Sequence, residues 1–137
     1  MVFQVKYRKF IFSPQVVNCV KQIMQGIQER YNLVIDEIGF DQNHLHIFVG
    51  APPTKSPMEI YTVIKSITAR KTFARFPWLK TYDLWGGELW SDGKYVGTVG
   101  EETTAAVVRR YIQRQSLDKP NYDNRLKQLK LFKLKPV

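Results

Sequence analysis

The sequence has too few cysteines and histidines for several common kinds of site. It contains one cysteine, Cys19, and two histidines in 137 residues. A single cysteine excludes a disulfide within the chain, and it leaves a structural zinc site short of ligands. Any chemistry of this protein that depends on imidazole must therefore use His44, His46 or both.

The chain also lacks a long apolar run and a recognisable signal peptide. No stretch approaches the roughly 20 consecutive apolar residues that a membrane span needs. The first residues enter an alternating polar and apolar pattern instead of a charged region followed by an apolar one. We therefore expect a cytoplasmic protein.

Acidic residues are scarce relative to basic ones. The chain carries 21 Lys and Arg against 12 Asp and Glu, which gives a net charge of +9 and a pI near 9.7. A domain this basic commonly binds a polyanion, most often a nucleic acid. The length predicts a single domain over 1–137, with a basic tail or short helix over 119–137.

The periodicity of apolar residues predicts the order β-α-β-β-α-β followed by one more helix. The predicted elements are a strand over 3–8, a helix over 14–31, strands over 33–40 and 43–49, a helix over 57–76, a strand over 94–99 and a helix from about 104 to 117. This order is typical of an α+β, ferredoxin-like fold (split β-α-β) with an antiparallel sheet. We expect the first and third strands at its centre, with the first half-buried and Phe3, Val5 and Tyr7 on one of its faces.

Both histidines lie in the predicted third strand, two residues apart. Side chains alternate between the faces of a strand, so His44, His46 and Phe48 share one face and Leu45 and Ile47 lie on the other. The histidine face is the one that the first two helices leave open. Two adjacent imidazoles there suit a metal ion or a phosphoryl group, although two half-buried surface histidines would give the same pattern.

The predicted third helix carries a second group of polar residues. Its buried stripe consists of Ala105, Val108 and Ile112. Tyr111 and Gln115, four residues apart, lie together at the margin of that stripe.

Chemistry connects this helix with the histidines. A tyrosine can attack a phosphodiester through a covalent phosphotyrosine, but a phenol with a pKa of about 10 is little ionised at neutral pH. The reaction therefore needs a cation that polarises and orients the phosphate. His44 and His46 supply two ligands for it, and the Gln115 amide oxygen could supply a third.

These residues carry a specific resemblance. His44-Leu45-His46 resembles the histidine-hydrophobic-histidine motif of the HUH endonucleases. The segment Tyr111-Ile112-x-x-Gln115 resembles the catalytic helix of their smallest branch, the single-tyrosine transposases of bacterial and archaeal insertion sequences. Further similar segments are Lys6-Tyr7-Arg8, Pro52-Pro53, the capped helix with Lys65 and Ser66, and Trp90-Ser91 leading to Tyr95–Gly100, so that the resemblance covers about 3–117. Asn43 stands where many relatives carry aspartate, which changes the residue next to the first histidine.

The resemblance implies a DNA transposase that cleaves and rejoins single-stranded DNA at insertion-sequence ends. Tyr111 would be the nucleophile, giving a 5′-phosphotyrosine and a free 3′-OH. His44, His46 and Gln115 would hold Mg²⁺ or Mn²⁺, whereas imidazole chemistry alone also suits Zn²⁺ and other transition ions. The resemblance further implies DNA ends that contain hairpins, and a homodimer in which the third helix of one subunit reaches the histidines of the other.

Contacts to DNA are expected from basic residues around the second helix and the first strand. The candidates are Arg8, Lys65, Arg70 and Lys71. A solvated basic face is the alternative for each of them.

Two other classes of protein fit parts of the pattern. A ferredoxin-like sheet with exposed aromatic residues such as Tyr7, Phe10 and Phe48 could bind RNA or single-stranded DNA without catalysis. Histidine-triad hydrolases need a third histidine where Phe48 stands, and two-histidine phosphoesterases need a second histidine motif that the chain lacks. Replication initiators and relaxases of the HUH group are usually longer and often carry extra histidines or a second tyrosine.

Overall fold

An antiparallel sheet forms the centre of the computed structural model, which describes residues 1–93, 95–97, 109, 112 and 113. Its strands are β1 (Val2–Gln4), β2 (Val34–Phe40) and β3 (His44–Gly50), in the spatial order β1-β3-β2. An isolated bridge between Val2 and Tyr95 extends the pairing beyond β1. The first and third strands are therefore central, and the predicted ferredoxin-like α+β fold is confirmed.

Two long helices begin at the capping residues expected from the sequence. In α1 (Pro14–Tyr31) the Ser13 hydroxyl accepts a hydrogen bond from the Val16 amide, and in α2 (Pro57–Arg75) Ser56 accepts one from Glu59. A proline occupies the first helical position in each, where no backbone donor is needed. Both bounds agree closely with the prediction. Within the described part of the chain, no helix combines the length and apolarity needed to cross a bilayer.

The core lies between these helices and one face of the sheet. Phe3 pairs with Leu45 across the strands, and its ring stacks on that of Tyr61 in α2 with the centroids 4.5 Å apart. The indole of Trp90 is fully buried and donates a hydrogen bond to the Thr68 hydroxyl at 2.9 Å. Because Phe3 and Leu45 face α2, the histidines, at alternate positions of β3, face the opposite side.

The first strand is shorter than predicted. Regular pairing ends at Gln4, and Lys6–Arg8 form a 3-10 turn in which Tyr7 has a left-handed φ of 60°. The Lys6 amide donates to the Leu89 carbonyl at 2.8 Å, which directs the chain away from β3. Tyr7 was expected to share one face of the strand with Phe3 and Val5. That expectation was wrong, because the turn breaks the alternation and exposes the ring, whereas Phe3 and Val5 are buried.

The last predicted elements fall mostly outside the described residues. Of the strand over 94–99, residues 95–97 are described, and Tyr95 forms the bridge to Val2. Of the third helix, Arg109, Ile112 and Gln113 are described, and all three are helical. The predicted tail over 119–137 lies outside the described residues.

Candidate active site

The histidine face is the side of the sheet that carries His44, His46 and Phe48. On β1, Gln4 pairs with His44, and on β2, Gly39 pairs with His46. Paired residues of antiparallel strands share a face. The two histidines are thus flanked by residues from both neighbouring strands, near the middle of the sheet.

The imidazoles are close to one another but differ in their surroundings. Their ring centroids are 6.1 Å apart with an interplanar angle of 35°. His44 is partly exposed, whereas His46 is buried. Burial lowers the pKa of His46 below its ordinary value of 6.5, and the neighbouring His44 lowers it further, against an opposing effect of Asp41. His46 is therefore neutral at neutral pH, the form of imidazole that binds metal ions.

The histidine pair fits a divalent cation as part of a shared ligand set. Imidazole nitrogens bind such ions at roughly 2 Å, so two rings with this spacing can both reach one ion between them. Among the described residues, no group of three or more His, Cys, Asp and Glu side chains is arranged to hold a metal. An ion at the pair would therefore need further ligands from Gln115, which lies outside the described residues, from water or from a bound phosphate.

The third helix approaches the histidine face at Gly39. A Cβ atom added to Gly39 would lie 2.8 Å from both the carbonyl oxygen and the Cγ2 atom of Ile112. Only a residue without a side chain permits such a contact. Gly39 thus marks a close approach of the helix to the sheet, and Ile112 is buried there as predicted.

Two polar contacts anchor the same helix to β2. The Arg109 guanidinium forms a bidentate ion pair with Asp36. Its Nε donates to Oδ1 at 2.8 Å and its Nη2 donates to Oδ2 at 2.5 Å. The Gln113 amide donates to Glu37 Oε1 at 3.1 Å. Sequence reasoning missed both anchors, because the partners are more than 70 residues apart. The only indication of these contacts in the sequence was Gly39, a glycine inside a predicted strand.

A bulge in β2 allows the carboxylates of Asp36 and Glu37 to contact the same helix. The register of β2 against β3 shifts between Ile35 and Glu37. In a regular strand, Asp36 and Glu37 would point to opposite faces. The extra residue relaxes this alternation, and consecutive acidic side chains bind Arg109 and Gln113, which lie one helical turn apart.

The remaining predicted site residues are distributed over the molecule. Tyr111 and Gln115 lie outside the described residues. Arg8 is exposed in the turn after β1, and its carbonyl accepts a long hydrogen bond of 3.4 Å from the Asn43 side chain.

The three α2 candidates are not brought to the histidines. Arg70 and Lys71 are exposed on α2, in the helix layer on the other side of the sheet. Lys65 is half-buried, with its ammonium 5.9 Å from the centre of the Tyr61 ring. Lys65 also lines a groove of about 490 Å³ together with Lys80 and Gly87.

Comparisons with known proteins agree on one family. A sequence profile described as "Transposase IS200 like" matches residues 1–115. The ISDra2 transposase TnpA of Deinococcus radiodurans is 30% identical over 115 residues, which cover 84% of this chain and 81% of the relative. The transposase for insertion sequence element IS200 of Salmonella typhimurium is also 30% identical, over 84% of this chain and 74% of the relative.

A solved structure supports the same assignment. The crystal structure of a candidate transposase from Deinococcus radiodurans superposes with a TM-score of 0.67 at 30% identity. The match covers 84% of this chain and 87% of the other.

Proposed function

The chain belongs to the family of IS200-like transposases, and we propose that it cleaves and rejoins single-stranded DNA at the ends of an insertion sequence. In this proposal Tyr111 is the nucleophile. His44, His46 and Gln115 hold a divalent cation, Mg²⁺ or Mn²⁺. The DNA ends contain hairpins, and the protein acts as a homodimer.

The observation that carries the proposal is the contact between the third helix and the histidine face. Ile112, the residue after Tyr111, lies against Gly39, and Gly39 is the strand partner of His46. Arg109 and Gln113, on either side of Tyr111 in the sequence, are fixed to Asp36 and Glu37. The described residues on either side of position 111 thus contact the face that carries both imidazoles.

The proposed reaction is an in-line exchange at phosphorus. The Tyr111 oxygen forms a bond to the phosphorus of the DNA backbone while the bond from phosphorus to the 3′ oxygen breaks. The phenol loses its proton, and the departing 3′ oxygen gains one, which leaves a 5′-phosphotyrosine and a free 3′-OH. Rejoining is the reverse reaction with a 3′-OH of another strand, so no external energy source is needed.

The histidines would hold the cation in this reaction. His46, buried and neutral, would offer a fixed nitrogen ligand, and the partly exposed His44 would offer a second one. A divalent cation bound there would neutralise charge on the phosphate oxygens and orient the phosphate for attack. Gln115 contributes a neutral amide oxygen as the third protein ligand.

The basic residues supply affinity that does not depend on DNA sequence. We propose Arg8, Lys65, Arg70 and Lys71 as phosphate contacts, supported by the exposure of Arg8, Arg70 and Lys71 and by the net charge. Contacts to phosphate fix the position of the strand without reading its bases. Since Arg70 and Lys71 lie in the helix layer on the other side of the sheet from the histidines, they would hold DNA at a distance from the cleaved bond.

A covalent complex with DNA tests the proposed function. Single-stranded DNA from the ends of the element that encodes the chain, incubated with protein and Mg²⁺, should give an adduct that survives denaturation and disappears after proteolysis. Peptide mass analysis should place the DNA on Tyr111, and the same sequence as a duplex should give little adduct. Binding without any adduct, under conditions that support the reaction of a relative, would favour a non-catalytic DNA-binding protein.

Gly39→Ala should impair cleavage without unfolding the protein. The new methyl group would meet the backbone oxygen of Ile112, which cannot rotate away, so the helix must shift relative to the histidine face. A displacement of about 1 Å between reacting groups can cost roughly a hundredfold in rate. Single-turnover cleavage measures the effect, and circular dichroism checks the fold.

Gly26→Ala is the matched control for that variant. Gly26 belongs to α1, and among the described residues no atom other than those of its chain neighbours and its own helix backbone lies within 4 Å of the added Cβ. Alanine should raise the helix stability by up to about 1 kcal/mol and leave cleavage unchanged. Equal rates for the two variants would mean that the contact of Ile112 with Gly39 does not position the tyrosine.

A further inference from the structure

Two aromatic side chains form an exposed pair beside the first strand. Tyr7 and Trp85 are 55% and 65% exposed. Their ring centroids are 5.1 Å apart with an interplanar angle of 67°, so that one ring presents its edge to the other. Because both rings are exposed, the packing of the core does not explain their arrangement, whereas a binding function would.

The backbone under both rings is strained. Tyr7 has a φ of 60°, Arg8 a φ of 53° and Trp85 a φ of 49°. Residues other than glycine rarely adopt this left-handed conformation, and its steric energy is highest for bulky residues. Such strain is found mainly where a fixed arrangement of side chains serves a function.

Backbone hydrogen bonds hold this arrangement in place. The Lys6 amide donates to the Leu89 carbonyl at 2.8 Å, and the Arg8 amide donates to the Val5 carbonyl at 3.0 Å. Next to Trp85, the Gly87 amide donates to the Leu84 carbonyl at 2.7 Å. Two segments that are far apart in the sequence are therefore fixed to one another, and each presents one ring.

Cations surround the aromatic pair. The Lys9 ammonium lies 4.5 Å from the centre of the Trp85 ring, and the Lys6 ammonium lies 5.8 Å from that of Tyr7. Stacking of a nucleobase on an aromatic ring is generally stronger than an exposed cation–π contact. An incoming base can therefore displace Lys9 from the indole, and its ammonium is then available to the neighbouring phosphate.

The pair also lies near the histidines. Gln4, the strand partner of His44, is three residues before Tyr7, a distance of about 11 Å at most along an extended chain. The Val5 amide donates to the Asn43 carbonyl at 2.8 Å, which joins the turn to the residue before His44. A strand with a phosphate at the histidines has its neighbouring bases within reach of the rings.

We propose that Tyr7 and Trp85 form a stacking site for one unpaired base of single-stranded DNA, with Lys9 as the partner of the adjacent phosphate. The position of this base next to the cleaved bond rests on the proposed function, whereas the stacking itself does not. Every nucleobase has a face that can stack, so the site would accept any base and would require that it be unpaired.

Binding in the absence of metal tests the proposal. The probes are a fluorescent oligothymidylate and an oligonucleotide of equal length and charge that carries no bases, compared by fluorescence anisotropy. Wild-type protein should prefer oligothymidylate, and Trp85→Gly should reduce that preference by about tenfold. Affinity for the baseless strand should stay the same, because it depends on phosphate contacts.

Two controls separate this effect from misfolding and from a general loss of aromatic surface. Glycine relieves the positive φ at position 85, so Trp85→Gly should unfold at the same temperature as wild type or above it. Trp78→Ala removes another tryptophan, 52% exposed and in contact with Phe76 instead of Tyr7. It should keep the full preference for oligothymidylate.

The outcomes also separate this inference from the proposed function. An unchanged preference in Trp85→Gly, or no preference in wild type, would overturn the stacking site even if the covalent adduct forms. A preference that depends on Trp85 supports the site even in a chain that forms no adduct, because the binding assay contains no metal and measures no cleavage.

Discussion

Tyr111→Phe protein is expected to form no covalent complex with single-stranded DNA. Phenylalanine keeps the ring and lacks only the oxygen that attacks phosphorus in the proposed reaction, so the fold and the affinity for DNA should be preserved. Removing the group on which a mechanism depends typically costs at least about ten-thousandfold in rate. Denaturing electrophoresis of labelled DNA measures both the adduct and the free 3′-OH product, with DNA binding measured in parallel.

An adduct that persists in Tyr111→Phe protein would assign the nucleophile to another residue. The same variant reports on assembly when it is mixed with His44→Ala/His46→Ala protein. If the tyrosine of one subunit serves the histidines of its partner, mixed dimers regain one complete site, and cleavage returns. Dimers that exchange subunits without regaining activity would place tyrosine and histidines of one site in the same chain.

His44→Ala and His46→Ala are expected to abolish cleavage while largely sparing DNA binding. Each removes one of the two imidazoles that we propose as metal ligands, whereas most affinity for DNA is expected from phosphate contacts elsewhere. Gln115→Ala should be milder, because water can replace a neutral amide ligand. Single-turnover cleavage over a range of Mn²⁺ concentrations, together with calorimetric titration of the ion, measures both consequences.

The two histidine variants control for one another. His46 is buried, so its replacement also removes packed atoms and should lower the melting temperature. His44 is partly exposed, and its replacement should not. If both variants lose cleavage although only His46→Ala is destabilised, the shared defect lies in metal binding. Full activity of His46→Ala in the presence of a chelator would instead favour a protein that binds DNA without metal-dependent cleavage.

The helices and the histidine strand could be predicted from the sequence because their signals are local. Ser13-Pro14 and Ser56-Pro57 fixed the starts of α1 and α2 within a single turn of chain. The alternation in 44–50 likewise gave the strand and the face on which the histidines lie. In each of these segments, local preference and tertiary packing favour the same conformation.

The turn at Tyr7 could not be predicted in this way. The pattern in 3–8 alternates regularly, yet the strand ends early because the Lys6 amide binds the Leu89 carbonyl, 83 residues further along the chain. A left-handed φ at a tyrosine has no sequence signature comparable to glycine. Tertiary contacts therefore determine this conformation, and they separate the Tyr7 ring from Phe3 and Val5, with which the pattern grouped it.

The anchors of the third helix were missed for a related reason. Asp36 and Glu37 have no distinguishing neighbours in the sequence, and their partners Arg109 and Gln113 become apparent only after the sheet and helix are assembled. Gly39 alone indicated an unusual site, since a glycine in a strand often allows close backbone approach. The residues expected to do chemistry were thus easier to identify than those that position them.

The long separation between Asp36 and Arg109 has a consequence for the order of folding. The hairpin of β2 and β3 joins residues that are near in the sequence, and its loop closes at little entropic cost. Contacts between β2 and the third helix close a loop of 73 residues, and they are favourable only when the strand is already in place. During synthesis, N-terminal segments also fold first. The protein thus acquires its histidine face early and the proposed nucleophile late, so that a chain interrupted before the third helix would fold a sheet without gaining the proposed cleavage activity.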